Sequence, residues 1–291
     1  MMKPAWLSIG CSLFAWVGYG QAPRPAFEVA TIRVNPHCEG GAALNRGMTT
    51  PGRIAMECAD LRDLILAAYV IFADGANPTP GSFRMQVSGG PAWLDSTRYD
   101  IVAKASGNSP RSEMLGPMMR SLLEDRLKLE VHRETREAPV YLLTVSNRGP
   151  KLPATKEGAC VVTDVNHPRD AGQFATPICG GQHIAPDGTV QFLGASMANL
   201  CQQLGMAMDR EVIDNTGLAG RFDIHLKVSP SELAPRFVAG RTIEQPDPPA
   251  GDAIPGPSIS TALQQVGLKL KSAKGHVESV VLDHIEQPTE N

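Results

Sequence analysis

Part of this 291-residue chain is written twice, and that repetition constrains the fold more than any single motif. Residues 52–64 read Gly-Arg-Ile-Ala-Met-Glu-Cys-Ala-Asp-Leu-Arg-Asp-Leu. Residues 188–200, 136 positions later, read Gly-Thr-Val-Gln-Phe-Leu-Gly-Ala-Ser-Met-Ala-Asn-Leu, with the same apolar pattern. In each, alternating apolar residues predict a strand that runs into a helix, with Asp60 and Ser196 as N-caps. Further on, Arg98-Tyr99-Asp100-Ile101 matches Arg221-Phe222-Asp223-Ile224, each opening an alternating strand. A second helix follows in both, with Leu115, Met118, Met119, Leu122 and Leu123 as one apolar stripe and Ile259, Ala262, Leu263 and Val266 as the other. Leu127-Lys128-Leu129 then matches Leu268-Lys269-Leu270, and each leads into an expected hairpin ending near Val140–Val145 or Val280–Ile285.

The fold class this predicts is α+β: two related units from an internal duplication, each a small, mainly antiparallel sheet with two packed helices. The expected division is a signal peptide over 1–22, a first unit over 23–150, a linker over 151–186 and a second unit over 187–291. A loop over 229–257 carries seven prolines and interrupts the second unit.

Residues 1–22 read as an export signal. Lys3 supplies the positive start, Ala5 to Val17 is apolar but short for a membrane span, and small residues follow at Gly18, Gly20 and Ala22. A periplasmic or extracellular location follows, with no stable membrane insertion after cleavage. Export favours disulfides. Cys160 and Cys179 are the expected pair, weighed against a zinc set with His167 and His183 that lacks a close Cys-x-x-Cys spacing. Cys58 reads as a small buried residue on a strand with Ile54 and Met56. Cys201 reads the same way on a helix stripe with Met197, Leu200 and Leu204, and Cys38 is the odd thiol.

With 27 basic and 30 acidic residues, the chain lacks the basic excess that nucleic-acid binding needs. Nucleophile elbows, phosphate loops and the His-Glu-x-x-His zinc signature are absent from the sequence, so no catalytic residue, metal ligand or cofactor is assigned. The segment His132-Arg133-Glu134-Thr135-Arg136-Glu137 reads as a charged, solvated edge around a hairpin turn. Arg98, Asp100, Arg221 and Asp223 lie on polar strand faces, available for ion pairs between the copies or for a ligand carboxylate.

Several motifs together resemble a known family. Phe27-Glu28-Val29-Ala30-Thr31-Ile32-Arg33, Asp60-Leu61-Arg62-Asp63-Leu64-Ile65 and Gly89-Gly90-Pro91-Ala92-Trp93-Leu94 are among them. So are Leu127–Arg136, Asp214–Asp223 and the Pro-Thr-Glu-Asn ending at Asn291. They resemble a family of exported proteins abundant in soil Acidobacteria, a domain of unknown function that brings no catalytic residues with it. Related domains appended to membrane metallopeptidases of the antibiotic-sensor type imply sensing or interaction. The second copy is also similar to the short N-terminal domains of secretins and TonB-dependent receptors. The expectation is a non-enzymatic exported binding or sensing module, with an envelope protein or peptide as partner class. A hydrolase with a site assembled from unlinked residues and a structural envelope component are the alternatives.

Overall fold

The computed structural model describes residues 24–38, 47–78, 86–167, 176–185, 189–208, 210–228, 237–238, 241–242 and 257–288. Residues 1–22, read above as an export signal, and most of the proline-rich segment lie outside the described residues. Four strands form the first sheet, in the order β1-β5-β3-β2. They are β1 (Val29–Val34), β2 (Gly47–Thr50), β3 (Arg53–Ala59) and β5 (Tyr99–Lys104). Between β3 and β5 lie α1 (Leu61–Leu66), β4 (Gln86–Gly89) and the short α2 (Trp93–Ser96). After β5, α3 (Arg111–Glu113) and α4 (Met119–Leu127) lead into β6 (Glu130–Val145).

The second half contains β7 (Gly181–Ile184), β8 (Thr189–Ala195), α5 (Met197–Ala207), β9 (Val212–Asp214) and β10 (Phe222–Lys227). A two-stranded ladder, β11 (Phe237–Val238) with β12 (Arg241–Thr242), precedes α6 (Ile259–Gln265) and β13 (Leu268–His284). A second, three-stranded sheet forms in this half, in the order β10-β8-β7.

Local chemistry explains where the helices begin. The Asp60 carboxylate accepts from the Arg62 N–H at the start of α1. Ser196 and Asn199 form a reciprocal capping box on α5, and Ser258 caps α6. Arg62 then joins three elements. Its buried guanidinium forms a two-toothed pair with Asp95 on α2, Nε–Oδ1 2.8 Å and Nη2–Oδ2 3.1 Å. It also donates to the carbonyls of Val87 and Gly89 on β4.

The two hairpins expected at the ends of the units do not form. Each stretch is one long strand, of 16 residues in β6 and 17 in β13, and the two run antiparallel to each other from Leu268–Val145 to His284–Glu130. In the first stretch the reason is local: residues 130–138 hold no glycine, asparagine or proline to set a tight turn, so the charged segment His132–Glu137 continues extended. In the second, Gly275 could serve a turn, but the ladder to β6 runs straight through it, pairing Gly275 with Ala138. The sheet is also mixed, with order β4-β13-β6-β9: β4 runs parallel to β13, and β9 runs parallel to β6. Where one small sheet per unit was expected, the described residues therefore form a sheet in each half, the small β11–β12 ladder, and a mixed sheet that both halves share.

This shared ribbon divides the core. The first hydrophobic cluster takes Ile54, Leu64, Ile101, Met119 and Leu123 from the first half, together with Val280 and Leu282 from β13. The second takes Phe192, Leu200, Ile224 and Leu263 from the second half, together with Leu143 from β6. Each cluster is completed by a strand from the other half of the chain.

Helices in the first cluster depart from the α repeat. Helix α1 continues as a π turn over Ala67–Ile71, and a second π turn, Met114–Met118, joins α3 to α4. Gly116 lies against the Phe72 carbonyl, where an added Cβ would come within 1.8 Å. Only glycine permits that approach.

Truncating a side chain on one half should loosen both. Leu268→Ala removes a fully buried side chain, and a loss of about 2–5 kcal/mol is expected. Because β6 and β13 feed both clusters, denaturant unfolding read by amide exchange in β3 and in β8 should give one shared midpoint.

Candidate functional site

Of the residues singled out for interaction, Arg98 and Asp100 stand at the start of β5, and Arg221 and Asp223 at the start of β10. In the β3–β5 ladder the register slips by one residue between Met56 and Ala59, so Glu57 and Cys58 together face Asp100. In the β8–β10 ladder the slip between Phe192 and Ala195 leaves Leu193 and Gly194 facing Asp223. These are β-bulges, and the second bulged residue is left-handed in both: Cys58 at φ 56° and Gly194 at φ 60°.

The two carboxylates hold those bulges. Asp100 accepts from the Cys58 N–H at 3.0 Å and from the Asn35 side-chain amide at 3.0 Å. Asp223 accepts from the Gly194 N–H at 3.0 Å and from the Thr155 hydroxyl at 2.7 Å. Asn35 and Thr155 are themselves anchored alike, the Asn35 N–H to the Arg98 carbonyl and the Thr155 N–H to the Arg221 carbonyl. The arginines finish the arrangement. Arg98 sits 3.4 Å from the buried N-cap carboxylate of Asp60 and donates to the Asp95 and Thr97 carbonyls. Arg221 donates to the Gly194 carbonyl at 2.9 Å. The two Arg/Asp pairs are not brought together: each makes these contacts within its own half of the chain.

The cysteines attach to the same bulges. Cys160 and Cys179 are joined, with Cα atoms 5.0 Å apart. Both thiols of the zinc alternative are thereby used, while the His167 ring bonds the Asp164 carboxylate at 2.6 Å. Cys58 and Cys38, expected as a buried thiol and an odd one, form a second disulfide. The bulge explains the difference, because strand alternation does not carry through a left-handed residue. Cys58 therefore does not share the face of Ile54 and Met56 but reaches the loop that follows β1. In the second half, Gly194 has no side chain, and the Cys160 sulfur lies 2.3 Å from where its Cβ would be. Cys201 is buried on α5, on its stripe with Met197, Leu200 and Leu204.

A polar cluster escaped the sequence reading. The Tyr69 hydroxyl, on the first π turn, donates to Glu124 at 2.9 Å, and Arg24 meets the same carboxylate at 3.1 Å. Arg120 stacks over the Tyr69 ring, 4.8 Å from its centre, and donates to the Ala68 and Ala73 carbonyls. Arg133 on β6 donates to the Tyr69 carbonyl. Burial, followed by the Glu124 hydrogen bond and charge, pushes the Tyr69 phenol far above its ordinary range. The cluster supports the carbonyls of the irregular turn. Apolar spacing alone gives no signal for a π turn, so periodicity could not have found it.

The segment between the halves is docked at both ends. Ala154 bridges to Phe222, and the Asp223 N–H donates to the Pro153 carbonyl. Further on, Asp164 accepts from the Asn77 side chain at 2.7 Å and the Asn166 N–H at 2.9 Å, while Asn166 accepts from the Ser112 N–H. Hydrogen bonds from His167 first, then Asn77 and Asn166, hold the Asp164 carboxyl down at about 2. Among the described residues there is no group of three or more His, Cys, Asp or Glu side chains placed to share a metal ion.

Two outcomes follow. Asp100→Ala and Asp223→Ala each strip a bulge of its acceptor and should cost about 1–3 kcal/mol in chemical denaturation. The Asp164 carboxyl binds its proton less tightly folded than unfolded. Its docking therefore contributes fully above the ordinary carboxylate range and is lost as pH falls through about 2, which the Asn77 side-chain amide signals should report.

Comparison with known proteins adds one finding. A family model described as Protein of unknown function (DUF3738) matches residues 65–285. No curated protein and no solved structure matches the chain.

Proposed function

The chain belongs to the DUF3738 family of unknown function, and from the geometry above we propose that it is an exported, non-enzymatic binding or sensing module of the cell envelope, built on a duplicated unit. The observation that carries this reading is how its prominent charged side chains are used. Arg62, Arg98, Asp100, Arg221 and Asp223 all hold backbone or helix ends. What the fold turns to solvent is strand edge and sheet face, with Val29, Val34 and Val102 all exposed around β1. Such surfaces suit the addition of a peptide or a protein strand.

The duplication is supported by paired details. Cys58 and Gly194 take the same backbone conformation and the same acceptor. Asn35 and Thr155 make the same two bonds. By this alignment, residues 152–155 answer to β1, and Leu152 packs on the second cluster as Ile32 packs in the first. The long strands each follow a left-handed residue, Lys128 or Gly267. That sets Leu129 against Leu268, two residues away from the register suggested by the repeated Leu-Lys-Leu.

Export is supported by the apolar run after Lys3 and by two disulfides of a kind that persists outside reducing compartments. Membership among exported proteins of soil Acidobacteria, and kinship of the second copy with the short N-terminal domains of secretins and TonB-dependent receptors, belong to the same proposal. Crosslinked capture from the cell envelope with the full chain should recover a defined peptide or protein partner. A monomer that retains nothing, in a fractionation that leaves it in the cytoplasm, would refute both binding and export.

A further inference from the structure

The strand edges of this molecule are not equally protected. Beyond β9, the outer edge of β6 carries Arg133, Glu137 and Pro139, and that of β13 carries Lys274, His276 and Glu278. Charges and proline on an edge discourage further pairing. Strand β1, at the edge of its sheet, reads Val-Ala-Thr-Ile-Arg-Val and holds one charge.

Register fixes which groups of β1 face outward. The Asn35 N–H bonds to the Arg98 carbonyl, and the antiparallel ladder pairs Arg33 with Asp100, Thr31 with Val102 and Val29 with Lys104. Alternate residues point their N–H and C=O the other way. Ala30, Ile32 and Val34 therefore direct three donors and three acceptors off the sheet. Among the described residues no backbone group bonds to them from that side. On the open face above, Val29 is 61% exposed and Val102 42%.

Charge indicates what fits there. Glu28, next to the strand, is already matched by Lys104 at 3.6 Å. Arg33 is exposed and makes no ion pair with the described residues. A second copy paired antiparallel through Ile32 would set Arg33 beside Thr31 and diagonal to the other Arg33, leaving the charge unmatched. Six residues of edge also bury far less than the ~1,200 Å² of a standard stable interface.

We propose that β1 receives an extended peptide segment of a partner protein as an additional antiparallel strand. That segment carries an acidic residue beside Arg33 and an apolar residue four positions later beside Val29. The inference rests on the binding reading above and assigns its site.

The test uses the full chain and the synthetic peptide acetyl-Ser-Glu-Val-Thr-Val-Ile-Ser-amide, whose Glu would sit beside Arg33 and whose Ile would sit beside Val29. In the free protein the amides of Ala30, Ile32 and Val34 should exchange quickly while those of Thr31 and Arg33 exchange slowly. The peptide should slow all three. Ala30→Pro removes an outward N–H without touching the ladder to β5, and should weaken binding about tenfold. Arg33→Glu should weaken it by a similar factor, with recovery when the peptide's Glu is replaced by Lys; this charge swap decides the matter if the proline disturbs β1. Three results would overturn the proposal: slow exchange of all three amides in the free chain, equal peptide binding by wild type and both variants, or self-association of the free chain that Ala30→Pro abolishes. An envelope partner held equally well by wild type and Ala30→Pro would overturn β1 as the site while leaving the binding reading standing.

Discussion

Everything else in this fold depends on the ladder between β6 and β13. It runs the whole length of both long strands, and its two ends are the missing walls of two separate cores. Val280 and Leu282 come from the far end of the sequence to close the first cluster, and the Glu286 N–H bonds back to the Leu127 carbonyl. Leu143 comes from the middle of the sequence to close the second. The short parallel strands confirm the exchange, since β4 lies on β13 and β9 on β6. A ribbon with polar residues on both faces through its middle could not persist alone. Apolar burial at each end holds it, and it in turn holds the ends in register.

Against that frame, the bulges are where the chain invests its polar side chains. Inserting one residue into a ladder frees an N–H, and a carboxylate on the neighbouring strand accepts it. The left-handed conformation this imposes is natural for Gly194 and strained for Cys58. At Cys58 the same residue is tied by its disulfide to Cys38 and by its N–H to Asp100, so the conformation is held from two sides. At Gly194 the crosslink is made next door, between Cys160 and Cys179, and the space a side chain would need is filled by sulfur.

Much of this could be read in the residues. Strand-to-helix junctions at Asp60 and Ser196 were legible because caps and alternation are local signals. The pairs Arg98/Asp100 and Arg221/Asp223 were visible as recurring motifs, but their duty was not, since it depends on a one-residue slip in a strand they merely face. The charged segment His132–Glu137 resembles a solvated turn until its partner strand is known, which is why a single long strand reads as a hairpin. Cys58 reads as a buried thiol for a related reason: alternation fails at a bulge, and nothing in residues 53–59 announces one.

The shared ribbon also sets an order of events. Whatever forms locally in the first half does so with its closing wall still unmade. Neither β4 nor the first cluster gains its partner until residues 279–282, far away in sequence, come to lie beside them. Contacts of such sequence separation form slowly and leave apolar surface uncovered meanwhile. The pairing of Cys38 with Cys58, close in sequence, can be settled long before that, while the architecture as a whole is a decision taken last.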